Sequence, residues 1–278
     1  MPETLEYETP AAALPEDPIP LRRRLAAEGV GTFLLVFFGC GSMAVDAAYG
    51  GAIGHVGIGI VWGVVVMALI YALGDVGGAH FNPAVSFAFW LSGRFPGKDA
   101  LAYGGMQIVA ATMAAVFLLV CFIGLQDLGQ TVPRPPDTLR SSINFRDLTN
   151  SGRGFSYEVN VVLWEDIARA FSFEIVLTFA LVFVILCVAV GSKERGLMAG
   201  TAIGGTVGIC ALAAGPVCRA SMNPARSIGP AIAAVDFQHL WLYCVAPIIG
   251  AALAVLAWTY IYRHPKPGRE VHEVTVPS

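Results

Sequence analysis

Two short stretches of this sequence carry the same chemistry. One reads Ala79-His80-Phe81-Asn82-Pro83-Ala84-Val85-Ser86, the other Ala220-Ser221-Met222-Asn223-Pro224-Ala225-Arg226-Ser227, and five of the eight positions agree. Asparagine is a strong helix N-cap and proline is favoured at the first helical position. Each Asn-Pro-Ala therefore predicts a helix start, at Asn82 and at Asn223. A capping asparagine spends its side-chain oxygen on its own helix and keeps its NH₂ as a donor. Were two such helix starts to meet, a water held by its oxygen between the two amides could donate to its neighbours but not accept from them. A proton wire would be broken there, and two positive helix ends would repel cations. Arg226 follows Asn223 by three residues, about 4.5 Å along a helix. A charge inside an apolar stretch costs several kcal/mol unless it faces a wet cavity, so Arg226 is a functional candidate.

The elements that must position these residues are apolar. The chain has 278 residues, of which 56% are hydrophobic and 13% charged, against about a quarter charged in soluble domains. Six stretches, about 23–46, 54–74, 100–124, 168–190, 197–214 and 239–262, reach the roughly 20 apolar residues of a membrane span. Asn82–Leu91 and Asn223–Val235 are about half a span each. Each is preceded by a span holding an acid and then a threonine, Glu28 with Thr32 and Glu174 with Thr178, the acids 54 and 49 residues ahead of their asparagines. A three-span unit is thus used twice, and an odd number of spans inverts the second copy. The expected fold is an all-α membrane protein with six transmembrane helices and two re-entrant half-helices in an inverted repeat.

The expected organisation is a disordered tail over residues 1–20, a membrane domain over 21–264 and a second tail over 265–278. Within the domain, repeat one covers about 21–124, an outer loop 125–166 and repeat two about 167–264. Arg22, Arg23, Arg24, Arg94, Lys98, Lys193, Arg195, Arg263, Lys266 and Arg269 fall in gaps on one side of the spans, which predicts that both termini are cytoplasmic. No organellar signal is evident, and a bacterial inner membrane is the expected location. The net charge of −3 argues against a nucleic-acid partner. Six scattered cysteines suggest neither a disulfide framework nor a metal site. No Ser-His-Asp or phosphate-loop constellation is present, so neither catalytic residues nor a cofactor is expected.

Glu28, Gly78 to Val85, Gln107, Glu174 and Ser221 to Ser227 together resemble the aquaporin (major intrinsic protein) family over residues 22–262. The resemblance implies a homotetramer in lipid with one pore per subunit, passing water or small neutral solutes. It further implies a four-residue selectivity filter, which spacing from the two asparagines assigns to Trp62, Ala211, Ala220 and Arg226. Trp62 lies about eight residues into its span, roughly 12 Å deep, too deep for an interfacial anchor. Water channels of the family usually have Phe and His at the Trp62 and Ala211 positions. The set found here resembles nodulin-like intrinsic proteins. Glycerol facilitators place Asp after the filter Arg, whereas this chain has Ser227 and then Ala231.

The resemblance gives Glu28 and Glu174 a structural role, accepting loop N–H groups, and His80 a bracing one. An amphipathic slot with Trp62 as apolar wall and Arg226 as polar wall would suit polyols, neutral metalloid acids or water. Gly31, Gly63, Gly105 and Gly250 suit close helix crossings. Arg219 is expected to add a second positive charge at the outer mouth, Cys218 to offer a mercurial target there, and Asp75 to be a solvated cap. The competing readings are a secondary transporter, for which the two glutamates are the sole coupling candidates, a water-only channel, and a structural role.

Overall fold

The computed structural model describes residues 19–125, 127–135, 163–189 and 198–262. Residues 1–18 of the first expected tail, the whole of the second, most of the outer loop, and Lys193, Arg195, Arg263, Lys266 and Arg269 lie outside the described residues. Among the described residues the regular structure is helical: α1 Leu21–Ala48, α2 Gly54–Gly77, α3 Pro83–Leu91, α4 Gly97–Cys121, α5 Trp164–Ala189, α6 Ala199–Cys218, α7 Pro224–Ala234 and α8 Leu240–Ile261. Six are long and apolar enough to cross a membrane; α3 and α7 are the two half-helices. "Inner" denotes below the side of residues 20 and 262.

Several boundaries move outward from their expected positions. Helix α1 takes in Arg22, Arg23 and Arg24 in its first turn, and Arg24 reaches Asp99 at the start of α4 at 2.7 Å. Helix α5 absorbs the last residues of the expected outer loop, from Trp164. Helix α6 continues past residue 214 to Cys218, with Pro216 inside its last turn.

The packing repeats with the sequence. Helix α1 packs on α4, and α5 on α8, as first and third spans of their units. The second spans, α2 and α6, cross each other at the centre. A Cβ on Gly63 would stand 2.8 Å from the Gly204 carbonyl oxygen and 3.1 Å from the Gly208 Cα. The crossing therefore brings backbone against backbone, the small-residue packing membrane helices use. Gly31 makes room for the Phe81 ring, and Gly250 for the α5 backbone at Ile175. Gly105 does not fit the expectation: it is exposed, and a Cβ there would meet nothing within 4 Å. Each half-helix wedges between α4 and α8. Gly229 of α7 fits against the Ala111 backbone of α4.

The outer flanks remain apolar and exposed, for example Val56 and Ile60 on α2 and Leu253 and Leu256 on α8, as lipid contact requires. Adding a methyl where backbones touch costs about 1–3 kcal/mol, whereas Ala in place of an exposed helical Gly gains up to about 1 kcal/mol. Gly63→Ala is therefore expected to lower the thermal unfolding midpoint of the solubilised protein, and Gly105→Ala to leave it unchanged or higher. Equal midpoints would contradict the crossing described.

Candidate functional site

The site begins with two loops whose backbone is held in a costly shape. Ala79 and Phe81 have φ of 50° and 48°, and Ala220 and Met222 have φ of 43° and 53°. These are left-handed values that non-glycine residues rarely adopt. Both loops place them three residues and one residue before the asparagine. A buried carboxylate stabilises each loop. Glu28 Oε1 accepts from the His80 N–H and Oε2 from the Phe81 N–H, both at 2.7 Å. Glu174 accepts from the Ser221 and Met222 N–H groups at 2.7 and 2.8 Å. Gln107 Nε2 adds a donor to Glu28 at 2.8 Å. Both glutamates are fully buried, and each oxygen has a partner, which is what makes their burial tolerable. His80 bonds Ser86 Oγ at 3.0 Å and stacks on Phe89.

Asn82 and Asn223 then open their half-helices. The Asn82 side-chain oxygen accepts from the Ala84 N–H at 2.8 Å. The Asn223 oxygen accepts from the Ala225 and Arg226 N–H groups at 3.0 and 3.3 Å. Pro83 and Pro224 occupy the first helical position in each case. The amide groups depart from expectation. Asn82 Nδ2 donates to the Met222 carbonyl and Asn223 Nδ2 to the Phe81 carbonyl, both at 2.8 Å. One N–H of each asparagine thus staples the two repeats together, and the other remains free of that bond.

One cavity of about 760 Å³ runs past this junction. Its walls are four-residue stripes: Trp62, Val66, Ile70 and Gly74 on α2, and Ala199, Ile203, Val207 and Ala211 on α6. Residues four apart share a helix face, so each span turns one stripe to the cavity. Asn82 and Asn223 line the middle and Asp75 the inner mouth, where its side chain is exposed. At the other end Trp62, Ala211, Ala220 and Arg226 line the same cavity together. Trp62 and Ala211 are its outermost lining residues on α2 and α6.

The Arg226 side chain is 1% exposed, and no acid pairs with it among the described residues. Its guanidinium carbon lies 4.9 Å from the Trp62 ring centroid, within cation–π range. The apolar and polar walls are therefore in contact with each other. Gly39 of α1 makes that position possible, since a Cβ there would collide with the indole. Arg226 Nη1 donates to the Gly129 carbonyl at 2.7 Å, and Nη2 points to Met43 Sδ at 3.7 Å. Each terminal nitrogen keeps a second N–H.

The comparisons with known proteins agree with this geometry. A family model described as Major intrinsic protein matches residues 18–258. The chain belongs to the major intrinsic protein family. It is similar to aquaporin NIP1-1 of Zea mays, 37% identical over 92% of this chain and 81% of the relative. It is also similar to aquaporin NIP1-2 of Arabidopsis thaliana, 38% identical over 91% and 79%, and to nodulin-26 of Glycine max, 37% identical over 87% and 78%. Among solved structures, the aquaglyceroporin from Plasmodium falciparum superposes with a TM-score of 0.67 at 22% identity, covering 86% of this chain and 96% of that one. That likeness shows the shared fold.

Two outer-mouth expectations need correction in this major intrinsic protein. Cys218 is fully buried at the end of α6, its Sγ 3.6 Å from the Ala214 carbonyl oxygen, and it does not line the cavity. It offers no surface to a mercurial, because the helix runs on through the residue assigned to the re-entrant segment. Arg219 is not a free charge either: its Nη2 lies 2.5 Å from Asp127 Oδ2. Burial opposes ionisation of Asp127, but the Arg219 charge and hydrogen bond outweigh it and hold the carboxyl below its ordinary value of 3.8. A depressed value means that the pair's contribution is complete above about pH 3.8 and is lost only as pH falls further through the depressed value.

Glu174→Ala is expected to strip two buried N–H groups of their acceptor at about 1–3 kcal/mol each, lowering the unfolding midpoint markedly. Glu174→Gln keeps one acceptor oxygen and should lose less. Unfolding curves that rank Gln below Ala would contradict the structural role.

Proposed function

We propose that this protein is a passive transmembrane channel for water and small uncharged solutes. Glycerol-like polyols, and neutral metalloid acids of similar size, are the solutes that suit its outer constriction. The observation that carries this reading is the cavity whose α2 and α6 stripes are largely apolar, whose middle offers two asparagine donors, and whose outer end carries a Trp–Arg pair beside two alanines. Apolar stripes give a passing molecule little to bind, so it moves quickly. The free N–H of each asparagine can hold a water or hydroxyl oxygen at the meeting point of two helix N-termini. That polarity interrupts proton hopping and disfavours cations.

Trp62, Ala211, Ala220 and Arg226 form the selectivity filter in this reading. The remaining Arg226 N–H groups donate to a solute hydroxyl, and the indole shelters its carbon chain. Small alanines at 211 and 220 leave the width that a bulkier pair would remove. Glu28, Glu174 and His80 serve the loops and carry no protons in transport. Each acid is saturated by backbone donors, which favours a channel over a proton-coupled transporter.

The chain works, we infer, as a homotetramer with one pore per subunit, in the plasma membrane (the bacterial inner membrane of the sequence reading) with both termini cytoplasmic. Exposed apolar helix flanks, and the Lys and Arg that fall in the gaps on the side of both termini, support this.

Stopped-flow light scattering on proteoliposomes tests the solute reading. The wild type is expected to pass both water and glycerol. Trp62→Phe combined with Ala211→His should keep water flux and cut glycerol flux by about tenfold or more, the scale of a misfitted small solute. A wild type that passes water alone would make this a water-only channel.

A further inference from the structure

At the outer end, residues far apart in sequence join in one chain of polar contacts. Arg226 Nη1 donates to the Gly129 carbonyl at 2.7 Å. The Gly129 N–H donates to Asp127 Oδ1 at 3.1 Å. Asp127 Oδ2 accepts from Arg219 Nη2 at 2.5 Å and has Arg134 Nη2 at 3.7 Å. The loop is also pinned to α6, since the Arg134 N–H donates to the Val217 carbonyl at 3.0 Å. Gly129 is buried with φ of 83°, and a Cβ there would meet Cys40 at 2.8 Å. The carbonyl that seats Arg226 thus belongs to a residue only glycine can supply.

The backbone of Arg219 gives independent support. It is the C-cap of α6 with φ of 64° and ψ of 4°, the left-handed position where glycine is usual and unstrained. An arginine held there is strained. What the side chain gains at that position is the carboxylate of Asp127, and through it the Gly129 turn.

We propose that Asp127 and Arg219 form a clasp that fixes the Gly129 carbonyl on Arg226, making both of them positioning residues for solute selection. Neither lines the cavity; they act through the turn between them and the guanidinium. The inference rests on the channel function proposed above. With the clasp closed, the Arg226 guanidinium stays over the Trp62 ring and the filter has one width. With it open, the guanidinium loses its strongest acceptor and turns its donors into the lumen, where they impede glycerol more than water.

The test combines two readouts on full-length wild type, Asp127→Asn, Arg219→Gly and the double variant. Arg219→Gly relieves the left-handed strain, so it is expected to fold at least as well as wild type. Asp127→Asn keeps an oxygen for the Gly129 N–H and removes only the charge. Hydrogen exchange over residues 127–131 reports the clasp directly, and the glycerol-to-water permeability ratio reports its consequence. All three variants should lose exchange protection in that segment. All three should lower the ratio by the same factor, at least about twofold, the low end for residues in one contact network. Unchanged protection or an unchanged ratio in Arg219→Gly would overturn the clasp, as would single-variant effects that multiply in the double variant. A wild type that conducts neither solute would overturn the proposed function and the selection role together. The exchange data would identify that result as distinct from a clasp that never formed.

Discussion

Two buried carboxylates make the rest of this molecule possible. A backbone that leaves the helical path inside a membrane exposes N–H and C=O groups that lipid cannot satisfy. Here the chain does so twice, and with non-glycine residues in left-handed conformations. Glu28 and Glu174 absorb the four N–H groups that these loops turn away from the cavity. Once those donors are held, the loop carbonyls at Phe81 and Met222 are fixed in position, and the opposite asparagine can reach each of them. The half-helices are anchored at their starts in this way, and their flanks fit between α4 and α8. A passing molecule therefore meets a preformed path.

The same economy governs the buried charge at the outer end of the cavity. Arg226 has no acid partner among the described residues, and its burial is compensated by a backbone carbonyl, a sulfur and an aromatic face. A carboxylate partner would neutralise the charge and close the guanidinium to solutes. A carbonyl orients it and leaves both charge and donors available. Among the differences between the two half-helices, Val85 stands in the first copy where the charged Arg226 stands in the second. The inverted repeat thus lines the cavity with a charge from one half-helix and an apolar side chain from the other.

Much of this could be read from the sequence because the signals are local. Span length and apolarity are properties of consecutive residues, and Asn82-Pro83 and Asn223-Pro224 are caps within one turn of the helices they start. The pairing of Glu28 with 80–81 and Glu174 with 221–222 was accessible through the family resemblance, not through spacing. The features that escaped are long-range. Nothing near Asn82 in the chain indicates that its amide ends on Met222. The contact between Gly129 and Arg226 joins residues 97 apart, and Gly39 reveals its purpose only once the Trp62 indole lies over it. Cys218 was expected in the re-entrant segment, yet α6 continues to Cys218 and turns at Arg219, and the partner of Arg219, Asp127, lies 92 residues away in the chain. Gly105 shows the converse, a small residue in a span with no crossing to serve within the subunit.

The central claim is a preformed, uncoupled path that passes neutral molecules and interrupts protons at the asparagine pair. The most direct measurement is simultaneous water and proton flux in proteoliposomes, by light scattering and an internal pH-sensitive dye, under an imposed membrane potential. The account predicts osmotic water permeability far above that of empty vesicles, with a proton leak no greater than theirs. Proton entry that rises with protein content, or solute uptake that saturates and follows the proton gradient, would contradict it.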